Sequence, residues 1–209
     1  MSQAFRDHYA SDGPAGYYQR HAADYRNPHQ PAVQVAIAHA LTHWSTPTRP
    51  DGIDFSEVFD LAAGGGEATL ALWQLRPEVR VQACDPYTAQ LYERQTGLPC
   101  ASTSFEDLAT GRAVLPASRC IVCSCALHLA GESWLPGLCL ALAQCARDLL
   151  VITPLTRPEI RPEWGWQAMQ AVTCTAQGRS VRLRWYRSTL APAASSDSVG
   201  GDSNQSQFL

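Results

Sequence analysis

Residues 58–69 read VFDLAAGGGEAT. An apolar run closes on Asp60 and Leu61, three consecutive glycines follow, and a helix-forming run starts at Glu67. Glycine loses more freedom on folding than any other residue. Three of them at one handover mark a place where the backbone turns sharply or another group comes close. A helix that starts there also aims its free amides and the positive end of its dipole at the same spot.

Working outward, the pattern alternates. Residues 57–63 read as a strand, 67–75 as a helix and 79–84 as a strand. Pro86 opens a helix to about residue 96; a short strand at 100–104 and a short helix at 105–110 follow. Residues 119–126 form a near-continuous apolar strand, 135–146 a helix, and 148–153 a strand stopped by Pro154. Strands that lack alternation are buried on both faces. The alternation of strand and helix predicts βαβ units and a mostly parallel sheet with helices on both sides.

Pro31 suits the first position of a helix, with Val33, Ile37, Leu41 and Trp44 as its apolar stripe. Residues 45–52 are a loop. Residues 164–176 are predicted helical, although 172–175 also read as extended. Residues 180–188 alternate, with Val181, Leu183 and Trp185 against Arg182, Arg184 and Tyr186. They predict a strand near the sheet edge, running antiparallel. The chain thus divides into an arm (1–30), one α/β domain (31–190) and a small-residue, polar tail (191–209) expected to be disordered.

Composition removes several chemistries. All 16 basic residues are arginine, so no Walker lysine, Schiff-base lysine or Tyr/Lys dehydrogenase pair can form. The net charge of −3 argues against a nucleic-acid partner. No run is long and apolar enough to span a membrane, and the N-terminus lacks a signal-peptide pattern, which predicts a cytoplasmic or otherwise reducing location. Of the eight cysteines, Cys84, Cys120, Cys123 and Cys125 lie in strand-like runs and Cys139 and Cys145 in a helical one. Cys-x-x-Cys-x-Cys in one strand splays its thiols, so structural thiols and no metal site are expected.

In an open α/β sheet, ligands bind at the carboxyl ends of the strands. Gly64–Gly66 fall there, and so does Asp85, 19 residues after Gly66 at the end of the next strand. A carboxylate in that place can accept both hydroxyls of a ribose, so the pair predicts a nucleoside-containing cofactor. NAD(P) is one candidate, for an oxidoreductase. The dinucleotide fingerprint is mismatched at Thr69, where it asks for glycine or alanine.

The motifs together resemble class I S-adenosylmethionine-dependent methyltransferases. DLAAGGGEAT (60–69) resembles their first motif, with Asp60, Gly64 and Gly66 in place and Ala62 where the first glycine stands. CDPY (84–87) is similar to the second, SFEDLA (104–109) to the third, and CIVCSCALHL (120–129) to the fourth strand beneath the methyl group. The resemblance runs from about residue 14 to residue 188. It implies a Rossmann-like three-layer αβα sandwich with a doubly wound sheet and an N-terminal helical lid.

The resemblance also implies site residues. The glycine loop (Ala62, Gly64, Gly66) takes the methionine carboxylate, and Asp60 or a backbone carbonyl takes its ammonium. Asp85 and Pro86 hold the ribose. Asp107 and the Phe105 backbone hold the adenine edge, and Ser124 lies on the methyl side. Tyr87 covers the base or joins the core. S-adenosylmethionine would leave as S-adenosylhomocysteine. The acceptor would be a small molecule or a protein side chain, and the protein a monomer or homodimer. His128 is a candidate general base or a pocket-shaping residue. Tyr17, Tyr18, His21, Tyr25 and Arg26 either close over the site or pack on the core. Trp164 and Trp166 are a pocket wall or core. A non-catalytic, cofactor-binding regulator is the remaining alternative.

Overall fold

The computed structural model describes residues 26–46, 48–154 and 156–190. Helix α1 (Gln30–His43) carries Pro31 in its first turn and buries Val33, Ile37 and Leu41. Strand β1 (Glu57–Leu61), helix α2 (Glu67–Leu75), strand β2 (Arg80–Cys84) and helix α3 (Ala89–Thr96) follow. Then come β3 (Cys100–Ala101), α4 (Phe105–Ala109), β4 (Ser118–Ser124), α5 (Leu135–Cys145) and β5 (Ala146–Thr153). Two antiparallel strands, β6 (Trp166–Ala176) and β7 (Arg179–Ser188), close the described chain.

The seven strands lie in the order β3-β2-β1-β4-β5-β7-β6. All run parallel except β7, which is antiparallel to both neighbours. Successive residues of β1 feed opposite layers. Val58 packs in the cluster that holds α1 and α2, and Phe59 in the cluster that holds Leu108 of α4 and Leu138 and Leu142 of α5. The result is the expected three-layer αβα sandwich. Because β1 pairs with both β2 and β4, the chain reverses direction across the sheet at β1, and a crevice opens at the carboxyl ends of β1 and β4. Of the expected N-terminal arm or lid (1–30), residues 1–25 lie outside the described residues, as does the expected tail (191–209).

Three expectations change. Residues 166–176 are a strand, not a helix. A register shift at Ala168/Gln170 breaks the period-two pattern: Trp166 packs on the α5 side, while Val172 and Cys174 pack on the α1 side. The turn that pairs this strand with β7 is Gln177-Gly178, with φ of +49° and +71°. A two-residue hairpin of this kind needs positive φ at both places. Second, α3 starts at Ala89 rather than at Pro86, because the Asp85 carboxylate accepts the Tyr87 and Thr88 amides at 2.8 Å each and holds 85–88 in a turn. Third, β7 is antiparallel and one strand in from the edge, as expected, but its Arg182, Arg184 and Tyr186 side is not polar throughout. Arg184 is buried and donates to the carbonyls of Thr156 and Pro158. Arg187 pairs with Asp148, and only β6 stands at that edge.

Trp164 and Trp166 belong to the core: Trp166 is fully buried and its indole donates to the Cys139 carbonyl at 2.9 Å. All eight cysteines are free. Among the described residues no helix is long and apolar enough to cross a membrane.

Asp148 is wholly buried and accepts from Trp185 Nε1 at 2.8 Å and from the Arg187 guanidinium at 3.1 Å. Burial pushes its carboxyl up, against the pull of Trp185 and Arg187. Removing the cation leaves an uncompensated buried acid. Arg187→Met should lower the unfolding free energy by about 3 kcal/mol in urea denaturation. A loss below about 1 kcal/mol would show that Asp148 is held neutral without its partner.

Candidate functional site

A cavity of about 310 Å³ fills the crevice, within the range of small-molecule sites. Its lining follows the strand order along the sheet edge. Thr103–Glu106 stand beyond β3, Asp85–Tyr87 beyond β2, Ala62–Gly64 and Glu67 beyond β1, and Ser124–Ala126 at the end of β4. Leu129, Gly131 and Trp134 of the following segment, and Asn27 before α1, complete the wall. Four adjacent strands span about 14 Å. Tyr87 and Trp134 keep about two fifths of their surface exposed while facing the cavity.

The glycine loop is built differently from the sequence expectation. Its amides are not bare. Gly64 N donates to Asp85 Oδ2 at 3.0 Å, Gly65 N to Glu67 Oε2 at 3.1 Å, and Gly66 N to the Ala63 carbonyl at 2.8 Å. In the first turn of α2, Thr69 donates its amide (3.2 Å) and its hydroxyl (2.7 Å) to Asp60 Oδ2. The loop therefore presents carboxylates to the cavity where free donors were expected. Gly66 has φ +86°, and a Cβ there would lie 2.7 Å from Thr96 Cγ2, so any side chain would strain the backbone and force Thr96 to shift.

Three carboxyl groups surround this loop. Asp60 is fully buried, and its Oδ1 has no hydrogen-bond partner. Burial pushes it up to about 7, with the Thr69 hydroxyl opposing and Glu67 adding. Burial likewise raises Glu67, against the backbone amides of Glu67, Gly65 and Asn27. Asp85 braces the loop through Gly64 and the β2 turn through Tyr87 and Thr88, so it serves the backbone as well as the cavity.

The expected residues separate on this geometry. Ala62, Gly64, Asp85, Pro86, Tyr87, Phe105 and Ser124 line the cavity. Asp60 and Gly66 stand behind it, as supports of the loop. Asp107 does not line it. Its carboxylate forms a capping box with Ser104 and accepts from Arg112, bonds that hold its carboxyl below the usual range, and its neighbour Glu106 faces the cavity instead. His128 is not part of the lining either. It is mostly buried with no partner for Nδ1, and burial, helped by His29, lowers its pKa. Arg26 is exposed and away from the lining. Tyr17, Tyr18, His21 and Tyr25 lie outside the described residues.

Residues missed by the sequence reading include Asn27, Glu67, Cys125 and Trp134. Glu67 carries a signal, since an acid in the first turn of the helix after a glycine loop is placed to meet that loop's amides. Cys125 has φ +54° at the strand end, a strain of the kind found at binding sites, and burial pushes its thiol up to about 11. Among the described residues no group of three or more His, Cys, Asp or Glu is arranged to hold a metal.

The sheet order, the single antiparallel strand and the crevice at the switch point are those of the class I S-adenosylmethionine-dependent methyltransferase fold. Magnesium protoporphyrin IX methyltransferase (ChlM) from Synechocystis PCC 6803, solved with bound SAM, superposes at a TM-score of 0.57 with 13% identity, covering 89% of this chain and 96% of that one. The N-methyltransferase NodS from Bradyrhizobium japonicum WM9, in complex with S-adenosyl-L-homocysteine, gives 0.58 with 12% identity over 84% of this chain and 98% of that one. The chain belongs to the family of uncharacterized protein C17A5.05c of Schizosaccharomyces pombe, to which it is 30% identical over 214 residues, 85% of each chain. No family model matches the sequence.

The state of Asp60 sets a pH dependence. Its folded-state pKa is raised, so the folded protein holds this proton more tightly than the unfolded chain does. Its contribution is fully present below about pH 4 and is lost as pH rises to about 7, a change on the order of 4 kcal/mol. Relative to wild type, Asp60→Asn should gain stability between pH 4.5 and pH 8 in urea titrations. A gap that stays constant across that range would contradict a protonated Asp60.

Proposed function

We propose that the protein is an S-adenosylmethionine-dependent methyltransferase acting on a small molecule or a protein side chain. The observation that carries this reading is the state of the glycine loop. Its amides are bound by Asp85, Glu67 and the Ala63 carbonyl, and two of those groups are carboxylates in the cavity wall. A pyrophosphate needs free amides and is repelled by carboxylates, so NAD(P) fits poorly. A ligand with a positive charge and a ribose fits well, because carboxylates favour the one and can accept from the other.

The bound cofactor supplies a methyl group already activated by a sulfonium. The protein's part is to bind, orient and exclude water, and orientation of this kind contributes roughly 7–11 kcal/mol in favourable cases. Tyr87 and Phe105 give the β2–β3 side of the cavity an aromatic surface suited to a purine, and Trp134 adds a third ring from the segment after β4. Ser124 and Cys125 stand where β4 ends, on the acceptor side. His128 shapes the segment after β4 with its imidazole behind the wall.

Thermal-shift titrations separate the candidates. S-adenosylhomocysteine should raise the melting temperature in a concentration-dependent way, and NAD and NADH at the same concentrations should not. Stabilisation by NADH and none by S-adenosylhomocysteine would replace this reading with an oxidoreductase.

A further inference from the structure

We infer that the outer edge of β6 is a self-association surface, on which a second copy of this chain adds its own β6 antiparallel about a two-fold axis at Thr173. The pairing does not depend on what the cavity binds, since it uses the sheet edge away from β1 and β2.

The two edges of the sheet are built differently. β3, at one end, has two residues, and a strand that short offers little to pair with. β6, at the other end, has 11. It bonds to β7 on one side, and among the described residues no strand pairs with its other side. Natural sheets protect such an edge with charges, a proline or a bulge. β6 has a register shift at Ala168/Gln170, but residues 170–176 then run in unbroken register, with no proline, aspartate, glutamate or arginine among them. The layer above repeats the pattern. Helix α1 packs on β6 and β7, and its 14 residues include no aspartate, glutamate or arginine either, in a chain that is 17% charged. Its Val35 keeps 42% of its surface exposed. An edge stripped of charge in both layers has the composition of an interface core rather than of a solvated surface.

The same residues point to a second copy as the occupant. An antiparallel pair about a two-fold axis sets the strand against itself, so a charge at the axis meets its own like. Residues 170–176 carry none. With the axis at Thr173, the centre of the unbroken run, Thr173 stands opposite Thr173 of the second copy, Val172 opposite Cys174 and Ala171 opposite Thr175. Every pair is small and uncharged, and threonine opposite threonine is a favourable cross-strand pair. Val172 and Cys174 lie on the side that packs on α1, and Thr173 is exposed on the other. Both copies of α1 then stand on one face of the joined sheet. Because β6 runs parallel to β1 and β4, the two crevices open on opposite edges and neither blocks the other. The chain's own tail is a poorer strand for this edge: it holds Pro192, Asp197, Gly200, Gly201, Asp202 and Asn204, all types that strands disfavour.

Sedimentation equilibrium on the full chain reads the state directly. Wild type should run at twice the chain mass. Thr173→Glu and Thr173→Lys each set like charges face to face across the axis at an exposed position. Each variant alone should self-associate at least tenfold more weakly while keeping the wild-type far-ultraviolet circular dichroism spectrum. An equimolar mixture of the two should return to twice the chain mass, because glutamate then meets lysine. Wild type at the single-chain mass would overturn the inference, whether the edge is bare or covered by part of its own chain. A dimer that neither charge weakens would place the interface elsewhere and overturn it too, as would a mixture that stays at the single-chain mass.

Discussion

The fold's functional edge depends on carboxylates that satisfy backbone amides. Asp60 ties down the start of α2, Glu67 takes Gly65, and Asp85 takes Gly64 together with the turn after β2. A loop of three glycines has little intrinsic order, and its free amides would otherwise have to find water or a ligand. Here three acids from three points in the chain meet at one place and fix it. Like charges at close range raise one another's pKa, and burial does the same, so Asp60 is pushed up to about 7. Of the three acids, Glu67 and Asp85 stand in the cavity wall and Asp60 lies behind it.

That view connects core and site. The buried Asp60–Thr69 pair lies beneath the loop, and Thr69 in turn meets the Tyr92 hydroxyl of α3 at 3.0 Å. Tyr92 is fully buried in the small cluster with Ala63 and Ala83. The loop is thus held from below by α2 and α3 and from the side by the β2 turn. On the other flank of the sheet, Asp148, Arg187 and Trp185 pin β5 to β7. This second buried charge cluster lies near the amino end of β5, away from the cavity, and its work is to fix the strand pairing.

Much of the architecture was legible in the residues. The helix at 67–75 was placed to the residue, because an apolar strand, a glycine run and a helix-forming run have distinct local chemistry. The central strands β4 and β5 were found for a related reason: buried on both faces, they read as near-continuous apolar runs. The strand at 166–176 was misread because its bulge hides the alternation and because Gln-Gly is an unobtrusive hairpin turn. At the site, strand ends placed Gly64 and Asp85 at the edge and the family resemblance added Ala62, Pro86, Tyr87, Phe105 and Ser124; all of them line the cavity.

By itself the sequence determined about where β1, β2 and β4 end and therefore which of their residues come to the crevice, since polarity and glycine content are local properties of the chain. Only the tertiary structure decided which of those residues face a ligand and which face the backbone. Asp60, Glu67, Asp85 and Asp107 are indistinguishable as carboxylates in one dimension. In three, Asp60 and Asp107 each put one oxygen on a helix start, Asp107 gives its other to Arg112, Asp85 braces the loop and the turn after β2, and Glu67 lines the wall. The reason is that a carboxylate's partners are amides brought to it by folding, and those amides come from positions as far as 21 residues away.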